Sequence, residues 1–104
     1  FINKKYGEGT ITLNIKDSYA NMANNIKKDQ RSVERAINAI KKLNFIPKTT
    51  PIRGGTDGAR LTKLGLNTPN LGTGGYNCHG PFELACLEEM EKVVKILIEI
   101  AKVN

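Results

Sequence analysis

A chain of 104 residues, 39% hydrophobic and 25% charged, has enough apolar material for one compact unit, and its composition is that of a globular protein. No apolar run approaches the length of a membrane span, so a membrane role is not expected. The net charge of +6 falls in the first half: residues 1–52 carry ten Lys/Arg against four Asp/Glu, and residues 53–104 carry six of each. The basic residues are mostly scattered pairs, Lys4-Lys5, Lys27-Lys28 and Lys41-Lys42, with no interleaved aromatics, which argues against nucleic acid as a partner.

Along the chain, Thr10 to Ile15 alternates polar and apolar, with Ile11, Leu13 and Ile15 on one face, and reads as a half-buried strand. Lys16 to Asp29 is polar and Asn-rich, a crossing segment with room for a turn of helix. A helix is predicted from Ser32 to Leu43, since Val33, Ala36, Ile37, Ile40 and Leu43 share one face. Ser32 is its expected N-cap, and Lys41 and Lys42 suit the negative end of its dipole. Pro47 bars continuation, and Phe45 to Thr50 reads as a short strand. Thr56 caps a predicted helix over Asp57 to Leu64, which Gly65 closes in left-handed geometry. Asn70 to Thr73 reads as a brief buried strand, followed by a loop over Gly74 to Pro81. The last helix, Glu83 to Val103, carries an apolar stripe of Cys86, Met90, Val93, Val94, Leu97, Ile100 and Ala101. The alternation of strands and helices predicts an α/β architecture.

Chemistry concentrates in two glycine-rich stretches. Arg53-Gly54-Gly55-Thr56 runs into a helix N-terminus, where free N–H groups and an arginine fork suit a carboxylate. A tight turn with a surface arginine accounts for the same residues equally well. The pattern is neither a Walker loop nor a dinucleotide fingerprint. His79, the single histidine, follows the predicted strand in the second stretch, where α/β proteins place their sites; it is a candidate metal ligand or an ordinary surface residue. Glu83, four residues on, is placed to orient the imidazole or simply to start the helix. Cys78 and Cys86 are too few for a structural zinc site, and two free thiols in a reducing cytoplasm are expected. No nucleophilic triad or acid/base carboxylate pair is evident.

Pro51-Ile52-Arg53-Gly54-Gly55-Thr56-Asp57-Gly58-Ala59, Gly65-Leu66, Pro69-Asn70, Gly74-Gly75-Tyr76-Asn77 and His79-Gly80 follow one another in an order and spacing that resembles the peptidase T family. Asp17-Ser18-Tyr19-Ala20-Asn21-Met22 upstream and Leu87-Glu88-Glu89-Met90-Glu91-Lys92 downstream fit as well. The resemblance runs from about Gly7 to the end and covers the last quarter of the family's length. These enzymes are zinc aminotripeptidases of the aminoacylase/carboxypeptidase-like superfamily, with a two-zinc α/β catalytic domain interrupted by a lid domain. The resemblance implies that residues 1–17 end the lid, 18–31 recross the hinge, and 32–104 form the C-terminal part of the catalytic domain. It implies His79 as a metal ligand, and Arg53, Gly54, Gly55, Thr56 and Asn77, with Asn21 in support, as the substrate-holding set for a tripeptide. The remaining ligands and the glutamate base belong to the missing N-terminal part, so the expected function is a C-terminal fragment of a cytoplasmic zinc tripeptidase, inactive alone and not binding zinc tightly. The competing expectation is a stand-alone peptide- or anion-binding module. A third is self-association of uncovered apolar faces, by exchange of Thr10–Ile15.

Overall fold

The computed structural model describes residues 1–52 and 54–102; Arg53 lies outside the described residues. Among the described residues, five helices and one small sheet occur in the order α1 (Ile2–Tyr6), α2 (Ala23–Ile26), α3 (Arg31–Lys42), α4 (Asp57–Lys63), β1 (Gly75–Tyr76), β2 (Leu84–Ala85) and α5 (Leu87–Ala101). β1 and β2 pair antiparallel, with Gly75 opposite Ala85 and Tyr76 opposite Leu84. The architecture is mixed, helices with a small sheet, compatible with part of a peptidase domain.

The chain spreads its surface. Its radius of gyration is 19.5 Å, against about 13 Å for a compact chain of this length. Its accessible surface is 9221 Å², against about 5,800 Å² for a folded monomer of this mass. Among the described residues only Ala36, Ala39, Gly58, Ala59 and Thr62 are buried, all of them small.

Two helix pairs account for the packing. α3 lies against α5, where Ala36 and Ala39 let the backbones approach. The Glu99 carboxylate of α5, only 7% exposed, is gripped by Lys42 of α3 and by Lys102. Hydrogen bonds from Lys102 and then Lys42 hold its carboxyl below the usual range. α5 has no basic residue in its last turn, and Arg35 of α3 supplies the missing cation: Nε donates to Ile100 O at 2.8 Å and a terminal nitrogen to Lys102 O at 2.9 Å.

α4 packs on α2 through a polar seam. Asn25 Nδ2 donates to Thr62 O (3.3 Å), Asn67 Nδ2 to Asp29 O (3.0 Å), and the Thr68 amide to the buried Thr62 Oγ1 (3.0 Å). A Cβ at Gly58 would sit 2.5 Å from Thr68 O, so the turn after α4 can close over glycine alone. Thr56 caps α4 as expected, its Oγ1 accepting from the Ala59 amide at 3.2 Å. Gly65, at φ +100°, closes it: the Gly65 amide donates to Thr62 O and the Leu66 amide to Leu61 O, the two bonds of a Schellman motif.

Several expectations are corrected. Thr10–Ile15, Phe45–Thr50 and Asn70–Thr73 form no strand among the described residues. A strand exists only where another strand's backbone takes up its N–H and C=O groups; Ile11 instead donates to Asn3 Oδ1 at 2.8 Å and accepts from Asn3 Nδ2 at 3.0 Å. Ile11, Leu13 and Ile15 are accordingly all exposed. The short helix α1 has no counterpart in the sequence expectations. The loop over Gly74 to Pro81 contains β1, and the last helix starts at Leu87 rather than Glu83, because Leu84–Ala85 pairs with β1. Ser32 does not cap α3; its hydroxyl is buried inside the first turn without a partner. Asp29 does that work from outside the helix, accepting from the Arg31 amide at 3.2 Å and from its guanidinium at 2.9 and 2.7 Å.

Both caps can be tested by stability. Thr56→Ala should lower it by about 1 kcal/mol in urea unfolding monitored by circular dichroism. The hydrogen bond from the Arg31 side chain lowers the Asp29 pKa from 3.8 to about 2. A folded-state value below the unfolded one gives stabilisation that is complete above pH 3.8 and is lost as pH falls through about 2. Asp29→Asn should remove that acid step from the pH–stability profile.

Candidate functional site

The Gly54–Thr56 turn leads directly into α4. Gly54 sits at φ +76°, and the ring of Tyr19 lies so close to Gly55 that a Cβ there would fall 2.0 Å from its Cγ. Tyr19 thus covers one face of the turn and ties the N-terminal segment to it, a contact that sequence reasoning missed. Thr56 Oγ1 accepts from the Ala59 amide and from Asn70 Nδ2, each at 3.2 Å. Among the described residues its O–H donates to nothing, which leaves that proton for an external acceptor.

The second stretch is a hairpin loop between β1 and β2. Asn77 (φ +54°) and His79 (φ +67°) both lie in the left-handed region. Asparagine tolerates this well; histidine adopts it at a cost on the order of 1 kcal/mol. The loop is laced by its own groups: Asn77 Nδ2 donates to Phe82 O (3.2 Å), and the Gly80 amide to Asn77 O (3.1 Å). Glu83 does not orient the imidazole. Its Oε2 accepts from the His79 backbone N–H at 3.1 Å, so the carboxylate holds the main chain and leaves the ring alone. The His79 side chain is exposed, and among the described residues neither ring nitrogen makes a hydrogen bond.

The hairpin is anchored to α5 at three points. The Cys86 amide donates to Gly74 O at 2.8 Å. Tyr76 Oη donates to Glu89 Oε2 at 2.6 Å, and that bond is the main cause of the raised Tyr76 pKa. Gly74, at φ +81°, lies so close to α5 that a Cβ would meet Glu89 Cβ and Met90 N at 3.0 Å. Cys86 and Cys78 are free thiols, as expected. Cys86 Sγ donates to Glu88 Oε2 at 3.3 Å. The Glu88 carboxyl is held below its usual range first by its own backbone N–H and then by that thiol.

Among the described residues, no hydrogen bond or ion pair joins the Gly54–Thr56 turn to the His79 loop. Asn70, five residues before β1 in the chain, donates to the α4 cap Thr56 at 3.2 Å. No group of three or more His, Cys, Asp or Glu able to hold a metal ion occurs among the described residues. The site therefore offers one free imidazole and one donor-rich turn on separate loops.

No family profile matches the chain. It is similar to curated proteins named peptidase T. That of Caldanaerobacter subterraneus subsp. tengcongensis is 52% identical over 101 residues, 97% of this chain and 25% of that protein. Those of Clostridium perfringens (strain 13) and Halothermothrix orenii are each 50% identical, over 98% and 96% of this chain and 25% and 24% of theirs. The chain spans about a quarter of the length of these relatives.

Glu83→Ala should leave the His79 amide without its acceptor. Faster hydrogen exchange at His79 and Gly80, with α5 amides unchanged, is the expected result by NMR.

Proposed function

The chain belongs to the peptidase T family as a counterpart of its C-terminal quarter, and on that premise we propose that it is the C-terminal part of a zinc-dependent tripeptide aminopeptidase. Identity near 50% across almost the whole chain carries this reading. In it, residues 1–17 end a lid domain, 18–31 recross the hinge, and 32–104 complete the catalytic domain. Among the described residues no helix is long and apolar enough to cross a membrane.

The residues present fit zinc as one donor of a set. An exposed imidazole with both nitrogens unengaged can supply a ligand, while a single histidine cannot hold the ion. His79 would be that ligand, with the others supplied by the remaining three quarters of the family's length. Bound zinc would polarise the scissile carbonyl and acidify a bound water. Within this chain, Glu83 fixes the backbone from which the imidazole projects, and the Asn77–Phe82 bond sets the width of the loop. Arg53, the Gly54 and Gly55 backbone and the Thr56 O–H would hold a carboxylate or carbonyl of the tripeptide. Asn77, and more weakly Asn21, would support it. The Asn21 carboxamide oxygen accepts from the Ala23 amide at 2.9 Å, so its Nδ2 would be the group offered to a ligand.

The purified 104-residue chain should not hydrolyse tripeptides with or without added zinc, and should bind zinc weakly by calorimetry. Hydrolysis that disappears in His79→Ala would overturn that expectation. In a full-length protein carrying this segment, His79→Ala should reduce kcat/KM by about a hundredfold or more and lower zinc content. Unchanged zinc content would remove His79 from the ligand set.

A further inference from the structure

The seam that seats α4 on α2 also brings two distant pieces of chain together. The Gly54–Thr56 turn leads into α4, and Tyr19 stands four residues before α2. The Asn21 carboxamide oxygen, accepting from the Ala23 amide at 2.9 Å, fixes how the chain enters α2. Asn25 Nδ2 then ties α2 to Thr62 O of α4. Tyr19 thereby comes to rest on Gly55: the three atoms nearest to a Cβ built there are Cγ, Cδ1 and Cδ2 of its ring. Gly55 lies outside the left-handed region, so its backbone would accept alanine, and the ring is the nearest obstacle. On Gly54, at φ +76°, a Cβ would meet nothing within 4 Å, so the turn is closed at Gly55 and open at Gly54.

Little else holds this turn. Among the described residues neither Gly54 nor Gly55 takes part in a backbone hydrogen bond. Consecutive glycines have more conformational freedom to lose than other residues. A ligand that needs their amides aligned would have to impose that order itself, which weakens its binding. We propose that Tyr19 is a positioning residue for the turn: its ring, laid against Gly55, confines the backbone before the substrate arrives and leaves the Gly54 side for it. The inference rests on the reading of this turn as the holder of a tripeptide carboxylate or carbonyl, and adds to it a residue of the crossing segment. The ring acts by contact rather than through its hydroxyl. Tyr19 is 57% exposed, so its truncation should not unfold the chain.

Tripeptide hydrolysis and zinc content of a full-length protein carrying this segment test the proposal. Tyr19→Ala should raise KM about tenfold, as the ordered fraction of the turn falls, with kcat and zinc content unchanged. Tyr19→Phe, which keeps the ring, should keep the wild-type KM. Gly55→Ala should raise KM by displacing the ring. The double variant should be no worse than the worse single, since both remove one contact. Additive losses would overturn the proposal, as would an unchanged KM in Tyr19→Ala. Tyr19→Phe as impaired as Tyr19→Ala would overturn it by assigning the effect to the hydroxyl, and loss of zinc in Tyr19→Ala by assigning it to the metal centre. A wild-type protein that hydrolyses no tripeptide would overturn the peptidase reading and this inference together. An active wild type beside an unaffected Tyr19→Ala overturns the inference alone.

Discussion

The Glu99 carboxylate, enclosed between α3 and α5, cannot be left uncompensated, because a charge withdrawn from water requires partners nearby. Lys42 from α3 and Lys102 from the end of α5 supply them, and Arg35 closes the same seam by donating to the terminal carbonyls of α5. With Ala36 and Ala39 as the only buried residues on α3, the apolar contribution to this pair is modest. The polar contacts set its register: a slide of one residue would carry Glu99 away from Lys42 and Arg35 away from its carbonyls. The placement of the His79 loop depends on that register. α5 holds β1 through the Tyr76–Glu89 bond and the Gly74 approach, and β1 with β2 suspends the loop.

The Gly54–Thr56 turn belongs to a different packing unit. α4 rests on α2 through side-chain amides and the buried Thr62, with little apolar area between them. Its rigidity is local, from a threonine cap at one end and a glycine stop at the other. Asn70, on the stretch of chain that leads to the hairpin, donates to Thr56 Oγ1 and takes up acceptor capacity there, while among the described residues the hydroxyl proton is unengaged. A single structural polar bond thus decides which half of the Thr56 hydroxyl remains for a ligand.

The three longer helices, α3, α4 and α5, were legible in the sequence to within a few residues because their determinants are near in the chain, whereas α1 was missed. Thr56 and Gly65 act through bonds three to five residues long, and the apolar period of α3 is visible without knowledge of its partner. Strands were not, because a period-two pattern such as Ile11, Leu13 and Ile15 describes a segment able to pair and says nothing of whether a neighbour exists. Ser32 and Asp29 show the same limit at close range. Both are good caps three residues apart, and only the path of the chain before α3 chooses the aspartate. At the candidate site, the residue types were legible, while the job of Glu83 was not, since a carboxylate four residues from a histidine can reach either its ring or its amide. Tyr19 was visible as a motif residue; its contact with Gly55 is long-range and left no local signal.

The backbone of His79 sits at φ +67°, where glycine and asparagine are at ease and a histidine is not. A library of variants at this position, selected only for resistance to heat or denaturant, would be expected to drift toward Gly or Asn and discard the imidazole. Stability engineering and preservation of the ring therefore pull in opposite directions at one residue. A designer working on this family would do well to hold position 79 fixed and look for gains at the α3–α5 seam instead.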